Sequence, residues 1–133
     1  MKISRSTGYA LLAVAYIAKN KSGGLVMSQD IAREYDIPLE YLLKILQQLV
    51  RAHVLKSKRG PSGGFSLAKP ASRISMLNII EAVEGPMVSH LSIAEHSHGA
   101  KLSAKVEKVF DKAIGQARTV FEKTKLSALI AGK

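Results

Sequence analysis

Hydrophobic residues recur at three- and four-residue spacing in several stretches of the chain, and each stretch predicts a helix. The first predicted helix runs from Ser4 to Asn20, with Ser4 or Ser6 as its N-cap, and it is apolar around much of its circumference. The second runs from Ser28, its predicted N-cap, to Tyr35. After the turn Asp36-Ile37-Pro38, a third helix extends from about Pro38 to Ala52. Its apolar positions share one face: Leu42, Ile45, Leu46 and Leu49.

A basic, glycine-rich stretch follows the third predicted helix immediately, from Val54 to Leu67. Glycines and a proline at its centre allow a tight reversal, so its flanks are predicted to be the two short strands of a β-hairpin. By itself this pattern also fits an ordinary solvated turn. Two short helices joined by a tight turn and followed directly by a basic hairpin instead indicate a winged helix-turn-helix.

Two more helices are predicted after the hairpin. One runs from Ser75 to Val83, is capped by Ser72 or Ser75, and ends at Gly85-Pro86. The other runs from Ser103 to about Leu129 and carries a long apolar stripe. We interpret it as a dimerisation helix, the alternative being a helix that folds back on its own core. The stripe comprises Val106, Val109, Phe110, Ala113, Ala117, Val120 and Phe121.

The predicted fold is therefore mainly α with a small β-hairpin, namely a winged helix-turn-helix domain plus a long C-terminal dimerisation helix. Residues 1–86 would form the DNA-binding domain, residues 87–102 a variable, sensor-like loop, and residues 103–133 the dimerisation helix and tail.

The charge of the chain points to an anionic partner. The formal net charge is +10 over 133 residues. Residues 1–70 hold 11 basic and 4 acidic side chains, whereas residues 71–133 hold 9 and 6, so the excess is +7 in the first part and +3 in the second. Double-stranded DNA is the simplest such partner. The alternative is a general anion- or membrane-surface-binding module without sequence specificity, although no wide basic face lies opposite a bulky apolar one.

Several other classes of protein are disfavoured. The chain has no cysteine, which excludes disulfides, thiolate catalysis and cysteine-ligated metals. No signal peptide and no apolar run long enough to span a bilayer is visible, so we expect a cytoplasmic protein with no membrane partner. No nucleophile elbow, phosphate-binding loop or zinc-protease motif occurs, and we therefore predict that the protein is not an enzyme.

Four segments resemble the Rrf2 family of bacterial winged-helix transcription regulators. The opening from Met1 to Leu11 is similar to the start of that family, and residues from Ile37 to Leu46 resemble its recognition helix. The stretch from Ser57 to Phe65 resembles its wing, and the stretch from Ile79 to Gly85 resembles the segment after the wing. The resemblance implies a homodimer that binds a palindromic operator, probing major grooves with the recognition helices and flanking minor grooves with Arg59 at the wing tip. It also implies a regulatory protein or a small-molecule effector as a further partner.

The predicted DNA-binding residues lie at the second helix, the recognition helix and the wing. Lys44 and Arg51 are seven residues apart on one helical face. Lys44 is predicted to contact phosphate or guanine and Arg51 to contact phosphate, the alternative being that both lie on a solvated face. Glu40 either accepts a hydrogen bond from cytosine or serves the helix dipole, and Tyr41 either contacts phosphate or packs on the first helix. The full predicted set is Ser28, Pro38, Leu39, Glu40, Tyr41, Leu43, Lys44, Arg51, Lys56, Ser57, Lys58, Arg59, Gly60, Ser62 and Gly63.

The chain departs from the family pattern in the predicted sensor-like loop. Family members with an iron–sulfur cluster carry three cysteines in the region equivalent to Val88–Ala104, where this chain has none. We therefore expect no cofactor, unless serines at 89–103 replace cysteines of a parent sequence. A metal site at His90, His96 and His98 is an alternative, but the spacing matches no closed site, so a polar loop is favoured. Leu43 also stands where some members have a glutamate that tunes operator choice, and operator sequence therefore does not transfer from them.

Overall fold

The computed structural model describes residues 3–20, 24–88 and 101–132. Within them the elements follow one another as helices, a hairpin and helices again, which confirms the predicted fold class. The first three helices are α1 (Arg5–Ala18), α2 (Ser28–Tyr35) and α3 (Leu39–Arg51), and the hairpin consists of β1 (Leu55–Lys58) and β2 (Gly64–Leu67). A 3-10 turn (Ala71–Arg73) then leads to α4 (Met76–Glu84), α5 (Lys101–Lys123) and α6 (Leu126–Ile130).

One hydrophobic core joins the helices to the root of the hairpin. It is built from aliphatic side chains because the chain has few aromatic residues and no tryptophan. α3 contributes most fully, since every apolar residue of its predicted buried face is inaccessible to solvent. The largest fully buried side chains are Ile31, Leu42, Ile45, Leu46, Leu49, Leu55, Ile74, Ile79, Ile80 and Leu126.

The turn between α2 and α3 depends on one residue with positive φ. Asp36 adopts the left-handed conformation, with φ 54° and ψ 49°, and its N–H donates to the Ala32 carbonyl oxygen. An aspartate tolerates this conformation better than a branched side chain does. Pro38 occupies the N-cap of α3, one position before its predicted place, and its carbonyl oxygen accepts from Leu42 N–H at 3.0 Å. The turn therefore fixes the entry of α3.

The hairpin is held to the helices by a bridge that the sequence did not predict. β1 and β2 are antiparallel, with Leu55 opposite Leu67 and Lys58 opposite Gly64. Val26, just before α2, exchanges two backbone hydrogen bonds with Phe65: Val26 N–H donates at 2.9 Å and Phe65 N–H donates back at 2.8 Å. The start of α2 and the hairpin are consequently joined by backbone.

The first turn of α1 is fixed to the end of α4 through one carboxylate. Glu84 Oε2 accepts from Ser4 N–H at 3.0 Å, from Ser4 Oγ at 2.5 Å and from the buried Thr7 Oγ1 at 2.5 Å. Ser4 Oγ also accepts from Thr7 N–H, which confirms Ser4 as the N-cap. The hydrogen bonds from the Ser4 side chain, then the Thr7 side chain and the Ser4 backbone, lower the pKa of Glu84. A negative charge there also suits the positive end of the α1 dipole.

Two sequence predictions about helix ends are wrong. Ser28 is not the N-cap of α2: Met27 holds that position without a side-chain cap, and Ser28 Oγ contacts Gln29 Oε1 at 3.3 Å. The long C-terminal helix does not continue to Leu129, because the chain breaks after Lys123 and resumes as α6. By contrast, Ser75 is confirmed as a cap of α4 and forms a capping box with Asn78.

The chain returns to the core at the break between α5 and α6. Met76 N–H donates to the Thr124 carbonyl oxygen at 2.7 Å, and Leu126 N–H donates to the Ile74 carbonyl oxygen at 2.7 Å. These two bonds pair the C-terminal segment with the start of α4 and bury Leu126. Much of the α5 stripe stays exposed, with Val109 66% and Val120 61% accessible, so α5 does not fold its whole apolar face onto its own core.

Candidate nucleic-acid interface

The exposed face of α3 is mainly polar because Leu42, Ile45, Leu46 and Leu49 are turned to the core, although Leu39 and Tyr41 near its start are partly exposed. Glu40, Lys44, Gln47 and Arg51 follow one another at three- and four-residue spacing, and all four are exposed. Glu40 lies in the first turn of α3, where its charge suits the helix dipole. A helix with one buried apolar face and one exposed polar face can pack on the hydrophobic core and present a continuous polar stripe to a groove of DNA.

The hairpin forms a compact tip because two of its glycines cannot carry a side chain. A Cβ on Gly63 would lie 2.1 Å from the Lys58 carbonyl oxygen. A Cβ on Gly64, which has φ 155°, would lie 2.7 Å from the Val26 carbonyl oxygen. Gly63 N–H also donates to the Gly60 carbonyl oxygen at 2.9 Å and closes the turn. Arg59 is exposed at this tip.

A cleft of about 500 Å³, here called the wing cleft, lies between α2, α3 and the hairpin. It is lined by Met27, Ser28 and Gln29 at the start of α2, by Gln47, Val50 and Arg51 late in α3, and by residues 57–60 and 63–65 of the hairpin. The bridge between Val26 and Phe65 holds its two sides together. Three elements therefore offer polar groups to one concave surface.

A second groove of about 340 Å³, here called the α3 groove, lies between α1 and the exposed face of α3. It is lined by Ser6, Tyr41, Lys44, Ile45, Gln47, Gln48 and Arg51. The hydroxyl groups of Tyr41 and Ser6 are hydrogen-bonded, and the Tyr41 ring meets the Tyr9 ring edge-on with centroids 5.7 Å apart. Tyr41 thus packs on α1, one of its two predicted roles, and it orients α3 against that helix.

Among the described residues, the basic side chains of this surface form no ion pair with a carboxylate. The ion pairs among the described residues join Arg33 to Asp30 and Arg118 to Glu81 and Glu122. None of them involves the cations of the clefts and wing, which are Lys44, Arg51, Lys56, Lys58 and Arg59. Exposed cations that form no ion pair create a positive field that attracts a phosphate backbone.

The structure brings together many, but not all, of the predicted site residues. The wing cleft gathers Ser28, Arg51, Ser57, Lys58, Arg59, Gly60 and Gly63, and the α3 groove gathers Tyr41, Lys44 and Arg51. The others line neither cavity: Pro38, Leu39, Glu40, Leu43, Lys56 and Ser62. The sequence prediction missed Gln29 and Gln47, although the spacing of Gln47 from Lys44 and Arg51 already places it on their face. The assignment of individual DNA contacts stays a prediction.

The chain contains no cysteine to hold an iron–sulfur cluster. Within residues 3–20, 24–88 and 101–132, no group of three or more potential metal ligands comes together. The predicted alternative at His90, His96 and His98 lies outside the described residues. Of the helices that the structure describes, none is both long and apolar enough to cross a bilayer.

Comparison with known proteins identifies this architecture. An HTH-type transcriptional regulator IscR of Cereibacter sphaeroides is 41% identical over 86 residues, which are 63% of this chain and 56% of the relative. A protein of Mycobacterium tuberculosis, whose name assigns it to the HTH-type transcriptional regulators, is 28% identical over 134 residues, covering 99% of this chain and 83% of the relative.

Solved structures agree over nearly the whole chain. The oxidised form of Staphylococcus aureus CymR superposes with a TM-score of 0.76 at 27% identity, covering 100% of this chain and 98% of the other. A transcriptional regulator from Listeria innocua gives a TM-score of 0.80 at 27% identity, covering 98% of this chain and 86% of the other. These likenesses confirm the winged-helix architecture.

The Rrf2 family matches residues 3–132 and is described as iron-dependent transcriptional regulators. Iron held as a thiolate-ligated cluster does not fit this chain, because no cysteine is present to ligate it. The match covers nearly the full sequence and includes every described element, from the start of α1 to the end of α6. The family and its named relatives are regulators of transcription and not enzymes, as the sequence predicted. The chain belongs to the Rrf2 family of helix-turn-helix transcriptional regulators.

Proposed function

We propose that this protein is a transcriptional repressor that binds a palindromic operator as a homodimer. The observation that carries the proposal is the continuous basic surface formed by the wing cleft and the exposed face of α3. α3 would enter the major groove, and Arg59 at the wing tip would enter the adjacent minor groove, where arginine is favoured. Lys44, Arg51 and Lys58 would neutralise phosphates on either side. Occupying a promoter in this way would exclude polymerase without any catalytic step.

The exposed stripe of α5 supports a dimer. In the stripe, Val109 is 66% accessible, Phe110 49% and Val120 61%, although a monomer gains nothing by exposing them. Leu102, one turn before Val106, is also 72% accessible. α5 has 23 residues, which give it a length of about 34 Å. Pairing with a second copy would cover the stripe with an identical one, as two-fold symmetry requires. Two-fold symmetry of the protein in turn calls for a palindromic site.

DNA selection tests the sequence specificity and the symmetry together. The full chain is mixed with a library of duplexes that carry a randomised central region and an excess of unrelated competitor DNA. We expect a recovered palindrome whose half-sites are centred about one helical turn, or a whole multiple of it, apart. Light scattering of the free protein should give twice the mass of one chain. Recovery of unenriched sequences would instead support a general anion-binding module.

Replacing Arg59 by alanine tests the role of the wing. Affinity for the selected operator should fall by about 1–3 kcal/mol, because a desolvated, groove-bound arginine is lost. Arg73 is the matched control, since it is an exposed arginine in the 3-10 turn and lines neither cavity. Binding of both variants is compared with the parent at one salt concentration. Equal affinities of Arg59→Ala and the parent would overturn the assignment of the wing.

A further inference from the structure

Gln47 holds a central position on the DNA-facing side of α3. It follows Lys44 by three residues and precedes Arg51 by four, so the three side chains form one exposed row. Of the described residues, only Gln47 and Arg51 line both the wing cleft and the α3 groove. Its amide has no hydrogen-bond partner within the described residues, so both its donor and its acceptor are available. Gln47 therefore stands where α3 would lie nearest the floor of a groove.

The chemistry of an amide selects one base. A phosphate offers only acceptors, and the neighbouring Lys44 and Arg51 can satisfy those with full positive charges. The carboxamide of Gln47 offers a donor and an acceptor side by side. In the major groove, adenine is the base that presents an acceptor, N7, beside a donor, the N6 amino group. The two patterns are complementary and allow a pair of hydrogen bonds.

We propose that Gln47 is a specificity-determining residue that recognises one adenine in each half-site through N6 and N7. The proposal rests on the proposed function, since it requires α3 to enter the major groove. It adds a contact in the second half of the helix, beyond the residues near the start of α3 that sequence reasoning emphasised. One turn of helix separates Gln47 from each charged neighbour, by about 4.5 and 6 Å along the axis. These spacings are comparable to one or two base-pair steps.

Gln48 provides a matched control within the same helix. It has the same side chain but points about 100° away around the axis. It is half-buried and lines only the α3 groove, next to Tyr41 and Ser6, and does not reach the wing cleft. An effect that arises from losing any glutamine of α3 should appear in both alanine variants. An effect of base recognition should appear only for Gln47.

The experiment compares the parent, Gln47→Ala and Gln48→Ala, each as the full chain, on the same randomised duplex library. The parent and Gln48→Ala should select the same palindrome, whereas Gln47→Ala should lose the preference for adenine at one symmetric pair of positions. Duplexes carrying 7-deazaadenine at those positions lack the N7 acceptor. They should bind the parent about 5- to 150-fold more weakly than unmodified duplexes and should bind Gln47→Ala equally with or without the modification.

The outcomes separate this inference from the function on which it rests. If the parent selects no palindrome, the proposed function fails and the inference fails with it. If the parent selects a palindrome but Gln47→Ala keeps every base preference, only the inference is overturned. The same holds if Gln47→Ala keeps those preferences but binds all sequences more weakly, because a uniform loss of affinity indicates a phosphate contact. Loss of adenine preference in Gln48→Ala instead would also overturn it. Circular dichroism of each variant checks that the helical fold is retained.

Discussion

Replacing Leu126 by alanine tests whether the C-terminal segment is part of the core. Leu126 is only 1% accessible and is the first residue of α6. Its own N–H makes one of the two backbone bonds that join this segment to Ile74 and Met76. Truncating a fully buried leucine costs about 2–5 kcal/mol, from lost transfer free energy and the cavity left behind. Because α6 has only five residues and can shift inward, the cavity should partly collapse. We therefore expect a loss of about 2–3 kcal/mol in the free energy of unfolding.

Urea unfolding followed by circular dichroism measures this loss. For an m-value of about 1–3 kcal/mol/M, the transition midpoint should fall by roughly 0.7–3 M. Protein concentration must be equal in all samples, since a dimer gains apparent stability with concentration. The matched control is Leu129→Ala, in the same helix three residues later, whose side chain is 48% accessible. It should change the free energy of unfolding by no more than about 0.5 kcal/mol.

Two results would refute this reasoning. If Leu126→Ala and Leu129→Ala had equal, small effects, the C-terminal segment would not be anchored in the core. If Leu129→Ala were the more damaging of the two, the orientation of α6 would be reversed. Either result would favour the continuous long helix that the sequence predicted over the break after Lys123.

Two more changes probe the wing and the tie between α1 and α4. Gly63→Ala would place a methyl group 2.1 Å from the Lys58 carbonyl oxygen, so the hairpin tip must shift. Operator affinity should fall by about 1–3 kcal/mol, whereas the circular dichroism spectrum should not change. An affinity equal to that of the parent would contradict this prediction. Its control is Gly115→Ala in α5, where an added Cβ meets no atom within 4 Å. The lowered pKa of Glu84 means that its carboxylate stabilises the fold above the unfolded pKa and that this contribution is lost as pH falls through the folded pKa. Glu84→Gln should thus be less stable than the parent by about 1 kcal/mol at neutral pH, a small figure because Glu84 is exposed. The difference in urea midpoint should shrink as the pH falls below the ordinary glutamate pKa and through the lowered pKa of the folded protein. A difference that does not change with pH would rule out this origin.

The helices and the hairpin were predictable because their signals are local. The apolar residues of α3 recur at helical spacing. The glycines before Phe65 mark a chain reversal, so the two flanking segments are expected to pair as the strands of a hairpin. The break after Lys123 has no such signal, since Thr124 continues the spacing of α5 and neither glycine nor proline occurs between Thr124 and Ala131. Hydrogen bonds to Ile74 and Met76, about fifty residues earlier in the chain, determine that break.

The candidate site was predictable in type but not in detail. The basic wing and the charges on α3 are visible as residue types in order, whereas the tie from Glu84 to Ser4 joins residues 80 positions apart and leaves no local pattern. Tyr41 shows the same limit: its spacing allowed contact with DNA or with α1, and only the positions of Ser6 and Tyr9 decide that it packs on α1. The helix cap at Ser28 failed because Met27 already supplies the extended backbone that precedes α2.

The backbone bridge between Val26 and Phe65 determines which segments must be transplanted together when the DNA-binding surface of one protein is engineered into another. A chimera whose new hairpin lacks glycine at position 64 would bring a side chain against the Val26 carbonyl oxygen, where even the Cβ of an alanine would lie 2.7 Å away. A transplanted hairpin must therefore keep that glycine or bring with it the residues before α2, although 39 positions separate Val26 from Phe65. Engineering of new DNA specificity in this scaffold should treat these two segments as one module.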